Sequence, residues 1–324
     1  MSYKFKVTET FAKGLRRISA EQINQVGQCL AAEGDVHKGV HEARKTLKRL
    51  RALIALFRGA IDDHMRRDLD ERLRDIARSL AGTREIQALL DSIGTLHERF
   101  GEAAAQPALA RLSADLEAQL AAAEAARAKL PTPAALRDDL AAVADKMQDL
   151  SVSARDFEAI RDGLEHTYRK ARHWHARAYG ERSNELMPDE TFHEWRKHLQ
   201  RHWRQMQLVS AAWPADMKLR VQISHALAET IGKDHDLAVL DAHIARAGRQ
   251  LGSPSQLKAC RAMCRRLQEE LRVGARLEGK RLFLEPPGAF SERLRRYWRL
   301  ARREHVSKRA KGDVAVADRT ARAG

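Results

Sequence analysis

His37-Lys38-Gly39-Val40-His41-Glu42-Ala43-Arg44-Lys45-Thr46-Leu47-Lys48-Arg49-Leu50-Arg51, continuing as Ala52-Leu53-Ile54-Ala55-Leu56-Phe57-Arg58, is the stretch whose reading decides the fold. Wound as a helix at about 100° per residue, it places Arg44, Lys48 and Arg51 within about 80° of His41 on one side, and Lys45 about 40° away on the other. Leu47, Leu50, Leu53, Ile54 and Phe57 fill the opposite arc. An amphipathic helix so divided buries one face and offers the other to negative charge. A charged face of this kind also reads as plain solvation, so one helix does not decide between the two.

The second occurrence does. His41-Glu42-Ala43-Arg44-Lys45-Thr46-Leu47-Lys48-Arg49 recurs as His193-Glu194-Trp195-Arg196-Lys197-His198-Leu199-Gln200-Arg201, with His, Glu, Arg, Lys, Leu and Arg in register. Downstream, Leu73–Leu90 runs alongside Ser224–Asp241, so that Leu80 meets Ile231, Arg84 meets His235 and Glu85 meets Asp236. A repeat this long points to two tandem copies of one helical unit rather than to a solenoid. Residues 1–150 form the first copy and 151–307 the second. The tail 308–324 lacks apolar periodicity and is expected to be disordered.

Helix formers dominate between these landmarks. The expected helices cover residues 11–33, 36–59, 63–81, 84–99, 106–130 and 134–149. A second set covers 155–179, 190–212, 215–231, 235–250, 255–284 and 289–308. Gly232-Lys233-Asp234-His235-Asp236 reads as a break followed by a helix start, with Asp234 as the N-cap. An acid beside a histidine also suggests catalysis, but no nucleophile or second acid accompanies it in sequence.

Composition sets the outer bounds. Among 324 residues there are 59 Lys and Arg against 44 Asp and Glu, a net charge of +15, while 44% are apolar. Such a chain is globular and attracts polyanions: nucleic acid, an anionic membrane surface or another phosphate polymer. Cys29, Cys260 and Cys264 make no disulfide framework; Cys260 and Cys264 share a helix face as small core residues. With no leader-like apolar run and no stretch near the roughly 20 residues of a membrane span, a cytoplasmic protein without membrane insertion is expected.

In the second copy His193, Arg196, Lys197, Arg201 and Arg204 spread over an arc of about 140°. Gln200 stands where the first copy has Lys48, and Trp203 where it has Arg51. Cations one turn apart, about 5.4 Å, suit a linear polymer with one charge per unit. Arg supplies forked hydrogen bonds to phosphate and Lys a flexible point charge. Tyr168, Arg169 and Arg172 form a further cluster ahead of the second copy, with Arg16 and Arg17 as its counterpart ahead of the first. Aromatic rings among arginines equally describe a nucleic-acid surface.

Two histidine pairs, His37/His41 and His198/His202, have ligand spacing, but both lie among cations that oppose a metal ion. The zinc-protease motif is absent, as is a phosphate-cradling Gly-rich loop. No cofactor and no metal are expected.

With both copies in view, the chain resembles the CHAD family, the conserved histidine α-helical domain. The residues carrying the resemblance are the run from His41 to Arg51, its second version from His193, Tyr168 with Arg169 and Arg172, and Ile231–Leu237. The resemblance implies an all-α fold of two four-helix bundles related by a pseudo-twofold axis, with basic helices lining a central groove or pore. It further implies non-enzymatic binding of inorganic polyphosphate and targeting to polyphosphate granules. The contacts it would assign are His41, Arg44, Lys45, Lys48, Arg49 and Arg51 in the first copy. In the second they are His193, Arg196, Lys197, Arg201 and Arg204, with Tyr168, Arg169, Arg172, Arg16 and Arg17 beside them. Two other readings stay open: a nucleic-acid-binding helical protein held by non-specific charge, and an enzyme acting on phosphate polymers. Histidines beside bound phosphate would make binding strengthen from about pH 8 to about pH 6.

Overall fold

The computed structural model describes residues 3–31, 36–80, 82–128, 134–180 and 187–321. Among them the regular structure is helical, with no strand. The first copy supplies α1 (Phe11–Ala31), α2 (Val36–Leu56), α3 (Asp63–Ser79), α4 (Gly82–Phe100), α5 (Gln106–Ala128) and α6 (Ala134–Gln148). The second supplies α7 (Glu158–Tyr179), α8 (Asp189–Leu208), α9 (Pro214–Ala247), α10 (Pro254–Leu282) and α11 (Pro287–Ala321).

Local chemistry explains several of the ends. Pro214, Pro254 and Pro287 each open a helix, where the missing N–H costs nothing. Asp62 caps α3 by accepting from the Met65 amide at 2.8 Å. Ser253 and Gln256 close a capping box on α10. α7 ends at Gly180, whose φ of +55° suits glycine.

Two expectations are corrected. The break foreseen at Gly232–His235 does not occur: α9 runs unbroken from Pro214 to Ala247. A mid-helix glycine costs about 0.5–1 kcal/mol. Here Leu227, Ala228, Ile231, Leu237, Leu240 and Ile244 bury a continuous stripe on both sides of it. Asp234 caps nothing. It is buried and bound to Arg272 of α10, Arg272 Nε donating to its Oδ1 at 2.6 Å. The second correction concerns the tail, which is helical as far as Ala321 as the end of α11. Its Lys, Arg and Ala residues sustain a helix already nucleated upstream, without needing an apolar stripe.

The order of packing repeats along the chain. α1 pairs with α2, α2 with α3 and α4 with α5; α7 likewise pairs with α8, α8 with α9 and α9 with α10. α9 thus occupies the places of α3 and α4 fused end to end.

The interior is shared between the copies. One apolar cluster takes in Leu47, Leu50 and Leu53 of α2 and Phe57 just after it, together with Trp195, Leu199 and Met206 of α8. A second joins Leu96 and Leu112 of α4 and α5 to Leu240 and Cys264 of α9 and α10. α2 packs directly on α7 and α8. Gly163 of α7 makes this possible, because a Cβ there would sit 2.2 Å from the Leu56 carbonyl oxygen. The chain's start is stitched across the same junction: the Phe5 amide donates to the Leu208 carbonyl at 2.9 Å, and the Tyr3 hydroxyl to the Arg49 carbonyl at 2.7 Å.

Candidate functional site

Packing α2 on α8 fixes where the cations go. The apolar arc foreseen for α2 is fully buried at Leu47, Leu50, Leu53, Ile54 and Phe57. That turns His41 and Lys48 outward into solvent and leaves Arg44, Lys45 and Arg51 half-buried at the helix flanks. Arg44 donates to the Ala77 carbonyl at the end of α3, at 2.8 Å, and Lys45 pairs with Glu42 at 3.4 Å.

The two copies meet around Asp70 of α3. Arg51 grips this carboxylate with both arms, at 2.9 and 3.0 Å. The charges of Arg201 from α8 and of Arg66 from α3 act on the same carboxylate. Burial would raise the Asp70 carboxyl, but the Arg51 hydrogen bonds and the three guanidinium charges outweigh it and hold it below the usual carboxylate range. Arg66 is also tied to Asp63, at 2.6 Å. Three guanidinium groups therefore gather over two carboxylates at the seam, a local excess of positive charge.

On the other flank of α8, Arg196 lies over Gly232 of α9, and its buried Nε has no hydrogen-bond acceptor. His193 and His235 stand ring to ring beside it, their Nδ1 atoms 3.2 Å apart. Burial, then the charge of Arg196 and the neighbouring ring of His193, pushes His235 down to about 4. Burial and the charges of Lys197 and Arg196 also lower His193. On the opposite side of α8, burial and Arg201 push His198 down to about 4, with Lys170 of α7 close enough to contribute. Burial first, and the surrounding positive charge second, favour the neutral form of these rings, and an anion placed there would raise them again.

Not every expected contact belongs to this surface. Tyr168 is fully buried: its ring stacks on Phe290 at 4.1 Å and its hydroxyl donates to the Glu285 carbonyl. Its α7 position faces inward with Ala171 and His175, while Arg169 and Arg172 face solvent, Arg169 paired with Glu165 at 2.6 Å. Arg204 is buried over the Trp203 ring at 4.5 Å and donates to the Gln200 carbonyl; burial lowers it to about 10. Arg16 spends its donors on the Gln148 and Leu150 carbonyls, at 2.8 and 3.1 Å, tying α1 to the end of α6. Arg17 is matched by Glu9 at 2.6 Å and Glu21 at 3.1 Å. These four are corrected from polyanion contacts to framework. Helical projection did not separate a cation on a solvent face from one folded back onto a neighbouring helix.

Of the histidine pairs, His202 is sealed among Tyr168, Phe283 and Phe290, and the His37 side chain lies outside the described residues. So does that of Arg84, the counterpart of His235. Among the described residues no group of three or more His, Cys, Asp or Glu side chains is arranged to hold a metal ion. Likewise no helix is long and apolar enough to cross a membrane. The sequence reading did not single out Arg66 or His235 for the cationic cluster in which the structure places them. Of these, His235 carried a signal, its place in the stretch matched between copies.

Beside the seam lies a polar groove of about 650 Å³ between α1, α2, α8 and the start of α9. Arg49, Lys4 and Lys218 reach its wall, so Arg49 leaves the α2 face on the side opposite Asp70.

Comparison with known proteins bears on the fold. No curated protein matches the chain. Two solved structures share its fold: PptA from Streptomyces chartreusis, 16% identical over 86% of this chain and all of that one, with a TM-score of 0.62; and the CHAD domain from the plant Ricinus communis, 15% identical over 84% of this chain and 93% of that one, with a TM-score of 0.57. The CHAD domain family matches residues 17–245. The chain belongs to the CHAD family.

Proposed function

We propose that the protein binds inorganic polyphosphate, without turning it over, along the basic surface that α2 and α8 build together. The observation that carries this reading is the seam at Asp70, where Arg51 grips the carboxylate with both arms and the charges of Arg66 and, from the other copy, Arg201 act on it. A repeated chain of single charges is the ligand that such a row of cations can follow. His41 and Lys48 on α2, and His193, Arg196 and Lys197 on α8, extend the row to either side. Arg169 and Arg172 are its outlying members. Binding is electrostatic: cations replace the counterions of successive phosphates, so affinity falls steeply with salt.

Such a module would place its carrier on polyphosphate granules in a cytoplasmic setting. Competition at fixed salt tests the ligand class. Polyphosphate is expected to displace duplex DNA at equal phosphate concentration, and DNA to fail against polyphosphate. Displacement of equal strength both ways would favour non-specific nucleic-acid binding. Release of free phosphate by the pure protein would show an enzyme instead.

A further inference from the structure

We propose that two adjoining clefts at the start of α9 form a binding site for a nucleoside oligophosphate. The inference does not rest on the polymer reading, although Arg49 faces this site.

The first cleft is the polar groove of about 650 Å³ described above, and the second, of about 590 Å³, opens between the turn ahead of α9 and the outer face of α11. They meet at Pro214, the first residue of α9, which lines both. Their chemistry is opposite. The polar cleft carries Lys4, Arg49 and Lys218 against a single acid, Glu42. Gln22 is only 3% exposed, and its Oε1 and that of Gln207 are buried in this wall without a donor. Two acceptors left unpaired among three cations ask for a ligand that brings both negative charge and hydroxyl or amino donors.

The second cleft supplies the rest. Trp213 stands half exposed, at 49%, edge-on to Tyr297 with ring centroids 4.9 Å apart, and Leu300 beside them is 57% exposed. Exposed aromatic and apolar groups ringed by polar ones mark a place where something flat is received. Glu304 on the rim disfavours phosphate there and keeps the charge in the first cleft. The start of the 34-residue α9, with Asp216 in its first turn, lies where the two join. A bare polyphosphate has nothing to place in the aromatic cleft, and a lipid phosphate has few donors for the Gln22 and Gln207 oxygens. A base on Trp213, a sugar at Pro214 and phosphates on Lys4, Arg49 and Lys218 fit both. Each volume falls within the about 300–1,000 Å³ of small-ligand pockets.

The test compares ATP, tripolyphosphate and adenosine by calorimetry on the intact chain, in magnesium-free buffer. ATP is expected to bind about tenfold or more tighter than tripolyphosphate, the size of one base–aromatic stack. Trp213→Ala removes that advantage while long polyphosphate still binds as before. Lys218→Ala, at an exposed helical position, weakens ATP and leaves adenosine unchanged. Equal binding of ATP and tripolyphosphate by the unmodified protein overturns the proposal, as does an ATP advantage that survives Trp213→Ala. Tighter, Trp213-dependent binding of a single-stranded oligonucleotide than of ATP would replace the small ligand with RNA or single-stranded DNA.

Discussion

Arg16 and Lys48 are both cations read from the same kind of pattern, and the structure places them differently: Arg16 donates to two carbonyls, while Lys48 is exposed on α2. Arg16→Ala should leave polyphosphate affinity unchanged and lower the thermal midpoint, because two carbonyls at the end of α6 lose their donor, about 1 kcal/mol each. Lys48→Ala should instead weaken binding several-fold. Melting curves and titrations of both variants separate the cases. The buried pair Arg272–Asp234, with side chains 8% and 2% exposed, marks another residue-scale limit. Breaking it by Asp234→Ala should cost about 3–5 kcal/mol, since the guanidinium is left buried without its main partner. Chemical denaturation reads this directly. At this scale the sequence showed which residues were charged but not which charges were already spent. The apolar stripe at Leu47, Leu50 and Leu53 was plain because burial follows helical period; the fate of Arg16, Arg17 and Arg204 was not, because it depends on which carbonyl or carboxylate a neighbouring helix presents.

Helices carry the next set of consequences. The bounds of α1 to α8 follow the helical period of their apolar residues, so they were legible within a few residues. α9 was not. Gly232 and Asp234 have the local signature of a break, and only the partners of α9, Arg196 on one side and Arg272 on the other, show why the helix continues. Gly163 is a comparable hinge between elements. Gly163→Val should force α7 away from the Leu56 carbonyl, lower the midpoint by an overpacking cost of about 1–3 kcal/mol and weaken polyphosphate binding, because α7 and α8 move as a pair. Unchanged affinity in a destabilised but folded variant would show that the α2–α8 seam does not depend on this contact. The histidines on α8 and α9 act at this scale too. His193, His198 and His235 all lie below their ordinary value, His198 and His235 at about 4, so in the free protein these rings take up protons at lower pH than an ordinary imidazole. A bound anion raises them, and proton uptake then accompanies binding. Affinity should therefore rise as pH drops from about 6.5 towards 4, a lower window than the sequence alone suggested. His193→Gln with His235→Gln should flatten that rise. Stability runs the other way: the unfolded chain holds these protons from about pH 6.5 downward and the folded one does not, so the thermal midpoint should fall over the same range.

For the whole molecule, the internal repeat has a structural meaning that composition and charge only hinted at. Each copy supplies one basic helix, and the shared interior sets those helices against each other so that Arg51 and Arg201 face one carboxylate from opposite copies. A single polymer held by both copies is the central claim. The most direct measurement is calorimetric titration with polyphosphates of graded length, on the unmodified protein, on Lys48→Ala, on Arg201→Ala and on the double variant. The account predicts one long chain per protein, affinity that climbs with chain length until both faces are spanned, and a loss from either single change that grows in the double variant. Two long chains per protein, or full affinity retained when the cations of one copy are removed, would contradict it.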